Sequence, residues 1–380
     1  MLRLRSCILP RLLSSPATSL HRVLSAAAPA VSPNHSSFAV EDYLVSTCGL
    51  TRLQAAKASA KLSHLKSPSK PDAVLSFLAG LGLSGADVAA LVAKDPLFLC
   101  SKVERTLAPN VAELTGLGLT RSEIARLVSL AGATFRCKSI ISGMQYCLPL
   151  FGSSENLLGA LKSGHILSYD HDRVVKPNVA FLQECGLGAC DIAKLYVHNP
   201  SPLSTSKERL RTAVTCIEGL GVPRGSPMLR HALQAVAFLS EEKITTKVEQ
   251  LKKMFRWSDA EVAAAFCKAP SLLVRSKDSL QRRSDFLISE VGFEPAYIAH
   301  RPAMLTYSLE GRVRPRYYVV KFLKENGLLD RSRDYYRAVM ITEKEFVEKF
   351  ISPHKESAPH LTEDYATACR GEVPVRLMFA

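Results

Sequence analysis

One phrase recurs along this chain at a nearly constant interval, and nothing else in the sequence narrows the fold as much. An apolar, helix-like stretch ends in Gly. One apolar residue follows, and then a residue that can open a new helix. Clear copies are Cys48-Gly49-Leu50-Thr51, Gly80-Leu81-Gly82-Leu83-Ser84 and Gly116-Leu117-Gly118-Leu119-Thr120. Looser copies are Cys185-Gly186-Leu187-Gly188, Leu220-Gly221-Val222-Pro223, Phe255-Arg256-Trp257-Ser258 and Val291-Gly292-Phe293-Glu294; Phe151-Gly152-Ser153 and Asn326-Gly327-Leu328 fall in register. Anchored at 49, 82, 118, 152, 186, 221, 256, 292 and 327, the steps are 33, 36, 34, 34, 35, 35, 36 and 35 residues. A period this steady means a solenoid or array, because each unit is too small to bury its own apolar face and stacked neighbours can.

The local chemistry of one unit is legible. Leu75, Leu78 and Leu81 share a helix face. Gly82 supplies the left-handed cap that side chains resist. Ser84 with Asp87 forms a capping box at the start of the next helix, as do Thr51 with Gln54, Thr120 with Glu123, and Ser258 with Glu261. Val88, Leu91 and Val92 face the core of that second helix, and Pro96 ends it. The proline returns in Asn199-Pro200-Ser201-Pro202-Leu203, Ala269-Pro270-Ser271-Leu272-Leu273 and Arg301-Pro302-Ala303-Met304-Leu305. A second proline leads the next helix in Ala108-Pro109-Asn110-Val111 and Lys176-Pro177-Asn178-Val179. Each unit therefore reads as two helices plus a short third turn. The proline is missing from its phase near Ala131-Gly132-Ala133 and Ala235-Val236-Ala237.

A unit of about 35 residues with a leucine face, a Leu-Gly-Leu-Ser junction and a downstream Pro-x-Leu-Leu resembles the mitochondrial transcription termination factor (mTERF) family, and its plant branch in particular. The segment Lys344-Glu345-Phe346-Val347-Glu348-Lys349-Phe350, followed by His354-Lys355, is similar to the end of plant members. The resemblance covers residues 40–360. It implies an all-α, right-handed helical-repeat solenoid shaped as a half-doughnut, with repeats over 38–340 and a C-terminal helical cap and tail over 341–380. It also implies a partner, double-stranded DNA or organelle RNA, and a role in transcription termination, transcript processing or intron splicing beside organelle transcription or splicing proteins. The chain is expected to act as a monomer, without a cofactor and away from membranes.

Residues 1–37 read as an organelle transit peptide. No acid precedes Glu41, while Arg3, Arg5, Arg11 and Arg22, eight serines and Ala26–Ala28 fill the segment. Arginines and prolines break every apolar run that a secretory signal would need. Leu2-Arg3-Leu4-Arg5 favours the mitochondrion, with the chloroplast as the alternative. Removing those four arginines takes the net charge from +14 to +10, so the basic excess belongs to the body of the chain. Such an excess suits a polyanion. No apolar run is long enough to span a bilayer.

The contact surface is expected to be Lys and Arg recurring at one phase, since phosphates are regularly spaced. The candidates are Lys247, Lys252 and Lys253; Arg275, Lys277, Arg282 and Arg283; and Arg301, Arg312, Arg314, Arg316 and Lys321. Lys102, Lys207 and Lys277 trail Gly82, Gly186 and Arg256 by 20, 21 and 21 residues, a coincidence of phase. Any one of these cations is also readable as a solvated helix face. Tyr317 and Tyr318 could stack on bases, but beside Val319 and Val320 they read better as core.

Enzyme motifs are weak. Gly80-Leu-Gly82-Leu-Ser-Gly85 matches a dinucleotide-binding pattern but follows a helix, not a strand. Asp170-His171-Asp172 stands alone and reads as a polar linker. Ten cysteines include no Cys-x-x-Cys. A binding protein is expected, with a protein-interaction scaffold as the reading of a different class.

Overall fold

A computed structural model describes residues 38–372 apart from Phe238. The expected targeting segment, residues 1–37, lies outside the described residues. Among the described residues every regular element is helical and there is no strand.

The unit over residues 69–100 shows the plan. Its first helix, Ser69–Leu81, buries Val74, Leu78 and Leu81, with Leu75 at the rim of that face. Gly82 turns the chain at φ 99°, and Leu83 N–H returns to Leu78 C=O at 3.1 Å. The second helix, Gly85–Lys94, buries Val88, Leu91 and Val92. Pro96–Cys100 then forms a tight third turn that buries Phe98 and Leu99.

This closing bond explains the apolar residue after each anchor. In Schellman geometry the residue beyond the left-handed one bonds back to the last helical turn and rests its side chain on it. Leu119 to Leu114, Leu187 to Leu182, Val222 to Ile217, Trp257 to Lys252 and Leu328 to Leu323 repeat the bond, each at 2.8–3.2 Å. All nine anchors have positive φ, and eight are glycines. The ninth, Arg256 at φ 56°, is the sole non-glycine with positive φ among the described residues.

All four expected capping boxes are formed, at Thr51, Ser84, Thr120 and Ser258. A fifth, at Thr342 with Glu345, opens the C-terminal segment. Glu123 does more than cap: its second oxygen accepts from Ser154 Oγ at the start of the next unit's second helix.

Where the proline is missing, the third turn is made differently. Arg121–Phe135 runs on through a kink at Ala131 (φ −127°, ψ 36°), and its last residues take the place of the turn. Gly132 permits this, since a Cβ there would stand 2.5 Å from Leu91 Cδ1 of the preceding unit. Leu229–Val236 likewise ends without a proline turn.

Packing runs between neighbours in sequence. First helices Ala108–Gly116 and Ser139–Phe151 touch, as do Lys176–Glu184 and Lys207–Gly219, and Glu241–Phe255 and Lys277–Asp285. Second helices follow suit, with Gly85–Lys94 on Arg121–Phe135 and Asp259–Lys268 on Pro295–His300. Trp257 ties two units through Nε1–H to Pro295 C=O at 2.8 Å. The core is one continuous apolar layer from Leu44 to Tyr365.

Candidate functional site

The fold decides which cations are free to meet a ligand. A helix end leaves carbonyls without intrahelical partners, and each third turn ends in such carbonyls. In five units a polar side chain from the first helix answers them. Asn110 Nδ2 donates to Phe135 C=O at 2.7 Å and Asn178 Nδ2 to Thr205 C=O at 2.7 Å. Lys247 Nζ donates to Arg275 C=O at 3.3 Å and Arg283 to Tyr307 C=O at 2.8 Å. Arg316 donates to Ala338, Val339 and Ile341 C=O at 2.9, 3.2 and 2.7 Å, and pairs with Glu343 at 2.7 Å.

This arrangement corrects part of the expected contact surface. Arg316 is 0% exposed and Arg283 is 7% exposed, so neither can reach a phosphate. Burial pulls the Arg283 guanidinium below its ordinary pKa. Arg275 bonds to Thr306 C=O across a unit boundary. Arg312 bonds to Val339 C=O at 2.9 Å and lies over the Tyr307 ring at 4.2 Å. Arg314 is held by Glu310 at 2.7 Å and Glu290 at 3.5 Å, over Phe286. Lys252 is shared by Glu249 and Asp259 at 2.9 and 3.0 Å. Lys321 is half-buried and 3.8 Å from Glu325. Arg301 is half-buried against Tyr297, 4.2 Å from the ring centre. The dense C-terminal arginine clusters hold the last units together.

For Arg316 a signal was present in the sequence. Arg316 follows Pro315 as Asn110 follows Pro109 and Asn178 follows Pro177. At these three positions the residue after the proline is an inward lock, whether asparagine or arginine fills it, while Arg283 and Lys247 lock without that mark.

Five candidates stay on the surface. Lys102, Lys253, Lys277 and Arg282 are exposed, and Lys207 is half-buried at the start of Lys207–Gly219. Lys102, Lys207 and Lys277 share a structural place as well as a phase: each sits where its unit's third turn gives way to the next first helix.

The remaining motifs resolve into structure. Tyr317 O–H donates to Glu290 C=O at 2.9 Å, and its ring packs edge-on against Phe286 and Tyr335. Tyr318 is half-buried beside it. Asp170 caps the turn His171–Val175, Asp172 pairs with Lys176 at 2.6 Å, and His171 faces Cys147 at 3.8 Å. Gly80–Gly85 is an ordinary helix junction.

Comparison with known proteins now decides the family. The mTERF family model matches residues 138–347, more than half of the chain. The chain belongs to the mTERF family. Among curated relatives it is similar to transcription termination factor MTERF8, chloroplastic, of Arabidopsis thaliana. That pair is 24% identical over 264 residues, 68% of this chain and 51% of that protein. It is also similar to transcription termination factor MTEF18, mitochondrial, of the same plant, 23% identical over 310 residues, 77% of this chain and 50% of that protein. This mTERF chain spans about half the length of the curated relatives it matches. Among its described residues no helix is long and apolar enough to cross a membrane.

Proposed function

We propose that this mTERF protein is a nucleic-acid-binding regulator of organelle gene expression that grips double-stranded DNA and acts in transcription termination or its regulation. The observation that carries the reading is the recurrence of Lys102, Lys207 and Lys277 at one structural place, free of the internal bonds that occupy the C-terminal arginines. The net charge of +14 supplies the long-range attraction a polyanion needs. Both curated relatives are named as transcription termination factors of organelles, one chloroplastic and one mitochondrial. The acid-free, Arg-rich and Ser-rich leading segment supports an organelle address, with the mitochondrion favoured by Leu2-Arg3-Leu4-Arg5. The mechanism is occupancy: a stacked array holds the phosphate backbone and obstructs or steadies what moves along it.

Binding of the full chain to duplex DNA, single-stranded DNA and RNA across a salt series tests this. Duplex binding that weakens steeply with salt is the expected result, because each neutralised phosphate releases counterions. A clear preference for RNA would move the role to splicing or transcript processing. Binding no tighter than that of an unrelated basic protein would remove the nucleic-acid reading and favour a protein-interaction scaffold.

A further inference from the structure

The phase shared by Lys102, Lys207 and Lys277 extends along the whole array. The window 20 to 22 residues behind each anchor contains Lys70, Lys102, Lys138, Arg173, Lys207, Lys243, Lys277 and Arg312 for the eight anchors from Gly49 to Gly292. The window behind Gly327 holds Lys349, in the C-terminal segment. Lys and Arg make up 49 of 380 residues, so a three-residue window holds one about a third of the time. A cation in every window is a pattern.

The eight residues occupy equivalent places in the fold. Lys70, Lys207, Lys243 and Lys277 lie in the first three residues of Ser69–Leu81, Lys207–Gly219, Glu241–Phe255 and Lys277–Asp285. Lys102 and Lys138 stand at the cap positions before Val103–Leu107 and Ser139–Phe151. Arg173 and Arg312 lie in the turns His171–Val175 and Leu309–Val313 that lead into their first helices. All but Lys207 and Arg312 are exposed. Among the described residues Arg173 pairs weakly with Asp170 at 3.8 Å, and no ion pair engages the six lysines.

Apart from Arg312, and the long pair of Arg173 with Asp170, these cations make no internal bond that serves the fold. The positive end of the helix dipole favours acids in a first turn, and a lysine costs rather than contributes. The acids that serve the dipole are already present, as Asp72, Glu104, Asp172, Glu208, Glu242 and Asp278. Lysines repeated beside them break a local rule without a gain for folding, which points outward to a ligand.

From this we infer that the leading edge of the first helices is a ladder of phosphate contacts, one rung per unit, for the sugar-phosphate backbone of a duplex. The inference rests on the nucleic-acid reading above and names its surface. Neighbouring first helices pack against each other, with axes about 8–10 Å apart. Phosphates of one strand recur every ~3.4 Å along the duplex axis, so one rung spacing corresponds to about two to three base pairs of rise, and the array must wind with the strand to keep each rung on it. A contact of this kind carries no base recognition. It fixes where the array lies on its target, and its strength grows with the number of units engaged. Arg312 is the rung turned inward, spent on the carbonyls of Val339 and Ile341, so the ladder ends before the last unit.

The test uses the full chain and a 5′-labelled random-sequence duplex of roughly 30 base pairs, long enough to span the array. One variant combines Lys70→Gln, Lys138→Gln, Arg173→Gln and Lys243→Gln. A control removes the same charge off the ladder, through Lys57→Gln, Lys61→Gln, Lys344→Gln and Lys355→Gln, all exposed residues. The slope of log affinity against log salt is expected to shrink by about 1 for each rung removed, and affinity at moderate salt to fall at least about tenfold. The control should stay close to the wild type. Equal losses in both variants would reduce the ladder to bulk charge and overturn it, as would no loss in either, and both outcomes leave the nucleic-acid reading standing. No binding by the wild-type chain would overturn the reading and the ladder together.

Discussion

Arginine plays two opposed parts in this chain, and residue identity alone does not separate them. Arg316 is fully buried, satisfies three carbonyls, pairs with Glu343 and lies 4.5 Å over the Phe346 ring. Replacing it by Met strands those carbonyls and removes the counter-charge, which costs about 3 kcal/mol of stability. Arg282, exposed and next in sequence to the equivalent lock Arg283, should change stability by less than about 0.5 kcal/mol when replaced by Ala. Urea unfolding of the two variants checks the contrast, and similar losses would remove the distinction between lock and surface cation. Arg256 makes a different point. It holds φ 56°, a conformation that costs a side chain about 1 kcal/mol and glycine almost nothing. Arg256→Gly should therefore leave the melting temperature level or higher, whereas Arg256→Val, β-branched at positive φ, should lose about 1–2 kcal/mol. A marked drop for the glycine variant would show that the Arg256 side chain has its own structural role. The anchor phase located this turn with no glycine to mark it. Arg275, Arg283, Arg312, Arg314 and Arg316 are held internally where the sequence suggests surface, because local charge density says nothing about which way a side chain points.

At the scale of the element, the legible features were those whose cause lies within a few residues. The nine anchors, four capping boxes and the proline-led third turns depend on bonds between residues three to five apart, and all appear where the sequence places them. The Asn110 and Asn178 locks carry a local mark, the proline before each, but their acceptors lie 25 and 27 residues away, so the local pattern does not show which carbonyls they bind. His171 shows what such a distant contact does to titration. It sits in the turn His171–Val175, read from sequence as a linker, against Cys147 and Tyr146 of the preceding first helix. Burial, seconded by Lys176, holds its pKa below the ordinary value of 6.5, against the smaller opposing pull of Asp172 and Asp170. The neutral ring is thus the form that folds. Its contribution to stability is complete above about pH 6.5, where the unfolded chain is also neutral, and is lost as pH falls through the lower folded value. Urea midpoints measured between pH 7.5 and 5 should fall more for the wild type than for His171→Gln. Parallel curves would mean that this histidine is not desolvated in the folded chain. His231, lowered mainly by its own burial, is present in both proteins and cancels in the comparison.

For the whole molecule, the repeat turns a question about stability into one about position. The main helix contacts join units adjacent in sequence, and one apolar layer runs through all of them. Stability then sums over units and their boundaries, in the manner of a one-dimensional array. The C-terminal boundary depends on internally bonded cations: buried Arg283 and Arg316 and half-buried Arg312 join the last units, and Tyr365 bonds to the same Glu343 that Arg316 holds. Boundaries nearer the amino terminus carry their own polar ties, such as the two-pronged pair of Arg136 with Asp95 at 2.8 and 3.3 Å and Lys94 to Leu130 C=O at 3.5 Å, none of which involves Arg316. Arg316→Met should accordingly loosen one end without melting the array. Amide hydrogen exchange measured by mass spectrometry is expected to rise across 309–369 and stay unchanged across 69–135, because local opening draws only on the contacts it breaks. Uniform loss of protection along the chain would show a single cooperative core. The distinction bears on binding, since most of the exposed rungs lie in units that this variant leaves folded. Its affinity for duplex DNA should therefore survive the damage to the carboxyl-terminal end, and a proportionate loss would place the grip in the arginine-rich last units after all.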